Sequence, residues 1–339
     1  MRAVTYSRTG GPDVLEVVDR ETREPGPGEV RVEIHRSGVN PTDWKSRTGS
    51  EPGQPVDPPQ VPNQDGAGIV DAVGEGVEAS LRGLRVWVWE AAHQRPDGTA
   101  QEYAVVPAHQ VVTLPDTASF DLGASLGVPF MTAHRCLTVA EGGPSRLGPG
   151  TLQGRTVLVA GGAGAVGNAA IQLARWSDAR VVTTVSSPEK AQLANLAGAD
   201  LIVNYRTEDV VETVRGFAPH GVDTIVEVSG ANAPVDAQVL AQGGAIAAYA
   251  GKPGEEVTLP VRELMTLNAR WQFVLLYTCP QSWRRQALED VSAAVFDRAI
   301  DVGSHRGLPL HHFTLEETAK AHAAVEDGAV GKVLIDVVE

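Results

Sequence analysis

The sequence predicts an α/β chain of two domains, a doubly wound parallel sheet of six strands set between two pieces of a mostly β domain. Three observations carry this. The 339 residues are too many for one ordinary core. Residues 1–123 read as short strands separated by Gly and Pro, whereas strand and helix signals alternate from residue 124 onward. After Tyr277 too little chain remains for a further core, so residues 278–339 are expected to rejoin residues 1–123 and leave 124–277 as an insertion.

In Val30-Arg31-Val32-Glu33-Ile34 apolar and charged residues alternate, the period of a half-buried strand, and Pro25-Gly26-Pro27-Gly28 punctuates the chain before it. Residues 1–6, 69–74, 85–89 and 103–107 read as further strands, which together suggest a small barrel or sandwich. Between strands, Asn40-Pro41-Thr42-Asp43 and Pro62-Asn63-Gln64-Asp65 gather polar groups. Such groups line a cleft, or cap a helical turn and anchor a loop; the residue types suit both.

Leu126, Phe130, Ala133 and Leu137 recur at helical spacing up to Thr138. Six strands follow, at 156–160, 180–185, 201–204, 224–228, 244–249 and 271–275, with helical segments such as 208–216 and 233–240 between them. A helix over 286–300 carries Leu288, Val291, Val295 and Ala299 on one side. His311 and His312 sit in a turn-rich stretch before a helix that opens at Thr314, with Glu317 three residues on as a capping box. Residues 332–337 read as the last strand.

The chain is organised around Gly161-Gly162-Ala163-Gly164-Ala165-Val166-Gly167. Gly162, Gly164 and Gly167 fit the G-x-G-x-x-G spacing, with a strand before and a helix after. The first is expected to turn the chain off the strand, the second to let a diphosphate approach the backbone, the third to let the helix lie close on the sheet. The helix start offers unpaired N–H groups and partial positive charge to an anion. A site for NAD usually places Asp or Glu about twenty residues further on. Here the second strand ends in Ser186-Ser187-Pro188-Glu189-Lys190, with no acid at the strand end. Two hydroxyls and a lysine suit a 2′-phosphate, which favours NADPH. Ser187 also reads as a helix N-cap, with Pro188 as the first helical residue; the two roles are compatible.

A net charge of −14 disfavours general attraction to nucleic acid or an anionic membrane. No apolar run is long enough to cross a bilayer, and the N-terminus lacks a signal-peptide core, so a cytoplasmic protein is expected. Cys136 and Cys279 are too few for a four-cysteine zinc site and read as reduced thiols.

On these residues the chain resembles the zinc-independent quinone oxidoreductases, relatives of zeta-crystallin within the medium-chain dehydrogenase/reductase superfamily. The likeness runs through almost the whole length. It rests on Ser37-Gly38-Val39-Asn40-Pro41-Thr42-Asp43, Asp65-Gly66-Ala67-Gly68-Ile69-Val70, the glycine bend, Val203-Asn204-Tyr205-Arg206 and Gly331-Lys332-Val333-Leu334-Ile335. It implies a GroES-like β domain built from both chain ends around a Rossmann domain, an active site in the cleft between them, and a homodimer. The implied reaction passes hydride from NADPH to a quinone or an activated enone. By resemblance Asn40 and Asp43 are the catalytic residues, near the nicotinamide together with Thr132. Ser186, Lys190 and Tyr205 would hold the 2′-phosphate, and Ala165, Val166 and Gly167 the diphosphate. Ser229, Gly230, Ala250, Gly251 and Leu275 fall at strand ends where a ligand is expected, and Gly331 and Lys332 would close the site.

Zinc alcohol dehydrogenases of the superfamily use a cysteine and a histidine for catalytic metal. By resemblance Asn40 stands at the cysteine position and Gln64 at the histidine position. Amides are poor zinc ligands beside thiolate and imidazole, so no metal is expected. Trp44, Trp87 and Trp89 depart from the usual pattern, and core packing and pocket lining are equally open for them. Without metal, hydrogen-bond donors must stabilise the developing oxyanion; the Asn40 amide and a bound water are the candidates. No residue is marked by spacing as a general acid, so solvent is the expected proton source. The alternatives are a zinc-free enoyl reductase and a non-catalytic, crystallin-like NADPH-binding protein.

Overall fold

The computed structural model describes residues 1–251 and 254–338. The chain divides into two compact units, Met1–Val128 with Pro309–Glu339, and Pro129–Leu308.

The first unit opens with β1 (Arg2–Arg8), β2 (Glu16–Asp19) and β3 (Glu29–Val39). Then come α1 (Pro41–Thr48), β4 (Pro55–Gln60), β5 (Asp65–Val73), β6 (Arg85–Val88), β7 (Tyr103–Pro107), β8 (Val111–Thr113) and α2 (Phe120–Ser125). One π-helical turn, Leu126–Phe130, leads into the second unit. That unit contains α3 (Met131–Leu137), β9 (Thr156–Ala160), α4 (Ala165–Trp176), β10 (Arg180–Val185), α5 (Pro188–Ala197) and β11 (Leu201–Asn204). It continues with α6 (Val210–Phe217), β12 (Val222–Glu227), α7 (Ala233–Val239), β13 (Leu240–Ala248), α8 (Val261–Thr266), β14 (Arg270–Phe273) and α9 (Gln281–Phe296). The chain then returns to the first unit as β15 (Leu310–Thr314), α10 (Thr318–Glu326) and β16 (Lys332–Asp336).

In the first unit a three-stranded sheet runs β2-β1-β4, and a seven-stranded sheet runs β15-β16-β3-β5-β6-β8 with β7 also paired to β3. Strand β3 is central, and its alternation decides its facing: Val30, Val32 and Ile34 are fully buried, while the residues between them are half-buried. They meet Val86, Val106 and Ile335 in one apolar cluster. His311 and His312, expected in a turn-rich stretch, lie instead on β15, which pairs in parallel with β16. Backbone pairing to a strand far along in sequence overrides a weak local strand signal.

In the second unit the six strands are all parallel in the order β11-β10-β9-β12-β13-β14. Every residue of β9, Thr-Val-Leu-Val-Ala, is buried, as a central parallel strand requires. The order reverses between β9 and β12, so the crevice for a ligand opens at the carboxyl ends of those strands. Leu158, Val182, Ile225 and Ile246 anchor the apolar core.

The unit boundaries fall elsewhere than the sequence suggests. Residues 278–308 belong with the inserted unit, and the return to the first unit begins at Pro309. The reason is the buried face of α9, made by Ala287, Asp290, Val291, Ala294 and Val295, which packs on α3 and α4. Asp290 accepts from His134 Nε2 at 2.7 Å, and Gln172 Nε2 donates to the Asp301 carbonyl at 2.9 Å. Residues 124–128 stay in the first unit, tied down by the Val128 N–H, which donates to the Asp65 carboxylate at 3.0 Å. The expected helix at 286–300 starts five residues earlier and ends four earlier, at Gln281–Phe296.

Candidate functional site

In the second unit, β9 ends at Ala160 and the chain bends through Gly161 to Gly164 into α4. Gly161, with φ at +70°, supplies the turn, not Gly162 as the motif suggests. Its N–H and that of Gly162 both donate to the Thr184 carbonyl on β10, at 3.1 and 3.2 Å. A Cβ on Gly162 would stand 2.1 Å from Thr183 Oγ1, so this glycine serves strand packing. A Cβ on Gly167 would stand 2.4 Å from the Gly161 carbonyl, which is what lets α4 start so close to the bend.

Gly164 differs from both. It is the N-cap of α4, exposed, and a Cβ there would meet only the Gly161 carbonyl, at 3.4 Å. No side chain caps the helix. The first-turn N–H groups of Ala165, Val166 and Gly167 therefore stand at an open, small-residue surface and suit a diphosphate. Ala163 is buried beneath the bend.

Beside it, β10 ends at Val185 opposite Asn204 of β11. Lys190 Nζ donates to Ser186 Oγ at 3.0 Å. Ser187 caps α5, its Oγ accepting from Lys190 N at 3.3 Å, with Pro188 in the first turn. The Tyr205 N–H donates to the Val185 carbonyl at 3.1 Å, which brings the exposed Tyr205 alongside Ser186. An ammonium and a hydroxyl thus meet at the end of β10, with the exposed Tyr205 just past the end of the neighbouring β11. The donor set fits the phosphorylated dinucleotide.

Further along the same edge, Ser229 caps the short turn Gly230–Asn232 that follows β12. Ala250 and Gly251 are exposed past β13, and Leu275 is exposed past β14. Thr132 is buried on α3 of this unit.

The first unit holds a second cluster. Asn40 is the N-cap of α1, and Asp43 closes the capping box by accepting the Asn40 N–H at 2.7 Å. Its other oxygen accepts the Gln64 N–H at 3.1 Å, so both oxygens of Asp43 are occupied by backbone donors. The Asn40 amide is also engaged: Nδ2 donates to Asp65 Oδ2 at 2.8 Å, and Oδ1 accepts from Lys332 Nζ at 2.7 Å. Lys332 Nζ lies 3.7 Å from Asp65 Oδ2. The ammonium of Lys332 is fully buried here, so it reaches Asn40 and Asp65 and not a solvent-facing edge.

Two carboxyls and one ammonium are thus buried together. Burial, with the Asp65 charge beside it, pushes the Asp43 carboxyl up to about 8. Burial raises Asp65 also, against the pull of Lys332 and its hydrogen bonds, and burial lowers Lys332. A buried chain of hydrogen bonds supports this loop from behind. His322 Nε2 meets Asn63 Oδ1 at 3.0 Å, Asn63 Nδ2 donates to Ser37 Oγ at 2.9 Å, and Thr99 Oγ1 bridges Ser37 to the Asp65 carbonyl. The Gln64 side chain is buried, and its Oε1 has no hydrogen-bond partner among the described residues.

Trp87 and Trp89 are buried in the first unit; Trp87 lies over Gly123 of α2. Trp44 is half-buried on α1. Among the described residues no group of three or more His, Cys, Asp or Glu is arranged to hold a metal ion, and no helix is long and apolar enough to cross a membrane. Sequence reading missed the engagement of Lys332 with Asn40, whose only signal is a lysine opening a strand whose next three residues are apolar. It also missed Glu227, an acid closing an apolar strand, and Asp236 beside it.

Residues 26–116 match the alcohol dehydrogenase GroES-like domain, and residues 165–293 the zinc-binding dehydrogenase family. A quinone oxidoreductase of Lama guanicoe is 31% identical over 99% of this chain and 97% of its own. A structure described as an NAD-dependent alcohol dehydrogenase superposes with a TM-score of 0.84 at 29% identity, covering 100% of both chains. A mycobacterial structure complexed with NADPH gives a TM-score of 0.79 at 29% identity over 99% of both.

Proposed function

The chain belongs to the quinone oxidoreductase family of the medium-chain dehydrogenase/reductase superfamily, and on that premise we propose that it passes hydride from NADPH to a quinone or an activated enone without a metal. The observation that carries the cofactor half is the end of β10. One structural neighbour is described as NAD-dependent and another as complexed with NADPH, so likeness alone does not choose. A Lys190–Ser186 pair with Tyr205 alongside, and no carboxylate at the strand end, favours the 2′-phosphate.

The reduced nicotinamide supplies the hydride when bound. The first turn of α4, without a side-chain cap, would hold the diphosphate, and Lys190 and Ser186 would hold the adenosine end. Ser229 and Gly230, at the carboxyl end of β12, would support the dinucleotide. Asn40, held by Lys332 and Asp65, keeps one amide hydrogen for a developing oxyanion, and Asp43 positions it from the backbone. The proton comes from solvent. Amides at positions 40 and 64, one already engaged on both its atoms, are poor zinc ligands. We further propose a cytoplasmic homodimer. Among the described residues strand β14 is an open sheet edge, and Phe273 on it and Leu275 just past it are 68% and 57% exposed.

The test is oxidation of NADPH by the purified protein with quinones, enones and acyl thioesters in parallel. Turnover of quinones or enones is expected. Turnover of acyl thioesters alone would move the protein to the enoyl reductases. Bound NADPH with no turnover of any acceptor would refute the reductase reading.

A further inference from the structure

At the carboxyl end of β12 two acids are buried side by side. Glu227 closes the strand and Asp236 lies on α7, and both side chains are almost wholly excluded from solvent. Glu227 Oε1 accepts from the Ser229 N–H at 2.5 Å and from Asn232 Nδ2 at 2.9 Å, so it ties down the whole turn after the strand. Glu227 Oε2 and Asp236 Oδ2 are also buried, and among the described residues neither meets a donor. The two carboxyls lie close enough for each to act on the other's ionisation. Two ionised carboxylates facing each other in a dry site would repel; one proton between them removes the repulsion and satisfies both oxygens.

We infer that Glu227 and Asp236 share one proton, and that the pair is a positioning device that holds the Ser229–Asn232 turn in the conformation that receives the dinucleotide. The second half rests on the cofactor reading above. Burial, then the neighbouring Glu227 charge, pushes Asp236 up to about 9, and burial raises Glu227 as well, so the pair keeps its proton at neutral pH. Among the described residues, Tyr249, Cys136 and Arg215 around it do not supply a charge partner. Tyr249, whose N–H donates to the Glu227 carbonyl, and Cys136 on α3 are both pushed up by burial and stay neutral over this range. Arg215 of α6 is spent on the Gln238 and Leu240 carbonyls at the far end of α7. Glu255 approaches the Gly230 side of the turn.

Two measurements on the full-length protein test this, with Asp236→Asn as the decisive variant. Asparagine donates an N–H to Glu227 Oε2 but carries no titrating proton. The first measurement is urea unfolding of ligand-free protein from pH 6 to pH 10. The native pair keeps a proton that the unfolded chain releases, so stability falls as pH rises from the ordinary carboxyl range to about 9. Relative to Asp236→Asn, the folded-to-unfolded ratio of the natural chain should drop about tenfold per pH unit below that point. An equal pH dependence in both proteins would overturn the shared proton.

The second measurement is NADPH affinity over the same range. The natural chain should lose affinity above pH 9, Asp236→Asn should not, and Asp236→Ala should bind weakly throughout. An alkaline loss unchanged in Asp236→Asn would overturn the positioning role. Failure of the natural chain to bind NADPH at any pH would refute the cofactor reading instead, and the unfolding series would still decide the shared proton.

Discussion

Substituting Gly164 by alanine separates the fold of the glycine bend from its use. The backbone at Gly164 has φ −81° and ψ 163°, an extended conformation open to any residue. The added methyl would touch only the Gly161 carbonyl, at an ordinary 3.4 Å. Alanine is a weaker N-cap than glycine, so about 1 kcal/mol of stability is at stake. The methyl would, however, project at the exposed N-cap, into the space from which a diphosphate would approach the first turn of α4. Each hydrogen bond from such a group to a charged phosphate is worth about 1.5–3 kcal/mol. Losing one good bond, or weakening two, gives about 3 kcal/mol, roughly a hundredfold in Kd for NADPH. Gly162→Ala is the contrasting variant. Its methyl would fall 2.1 Å from Thr183 Oγ1 and 2.9 Å from Ile171 Cδ1, so unfolding free energy should drop by about 1–3 kcal/mol or more. Fluorescence titration with NADPH and urea unfolding of both variants make the comparison. A folded Gly164→Ala protein that binds NADPH within about threefold of the natural chain would mean that the diphosphate does not pass over this bend.

Lys190→Ala should weaken NADPH about tenfold to a hundredfold and leave NADH unchanged, because it removes one charge-assisted contact to the 2′-phosphate; parallel titrations with the two cofactors check this. Lys332→Met strands the buried Asp65 and the Asn40 carbonyl, and should cost about 3–5 kcal/mol of stability in urea unfolding, the usual penalty for breaking a buried charged cluster. Asp290 is held below the ordinary carboxylate range: burial alone would raise it, but His134, Arg146 and the Leu147 N–H outweigh that. Its stabilising contribution is therefore present above the ordinary carboxyl range and lost as pH falls through the depressed native value. Asp290→Asn should remove that part of the acid sensitivity, as read from unfolding at pH 7 and at pH 4.

The sequence by itself determined the elements whose causes are local. Six parallel strands follow from alternating strand and helix signals, and β11 spans the same four residues, Leu201–Asn204, in sequence and structure. Ser187 before Pro188 sufficed for the start of α5, and Thr314 with Glu317 for the turn before α10, because a cap is satisfied within four residues. What tertiary structure alone decided lies across long separations. Residues 278–308 join the inserted unit because one face of α9 finds α3 and α4, a choice that the period of α9 does not contain. Lys332 meets Asn40 across 292 residues, and only burial converts that meeting into a fixed charge cluster. Gly162 and Gly164 carry the same letter in one motif. Which of them packs and which stays open depends on whether the missing side chain would clash with Thr183 or only touch the Gly161 carbonyl, and that is a property of the folded sheet.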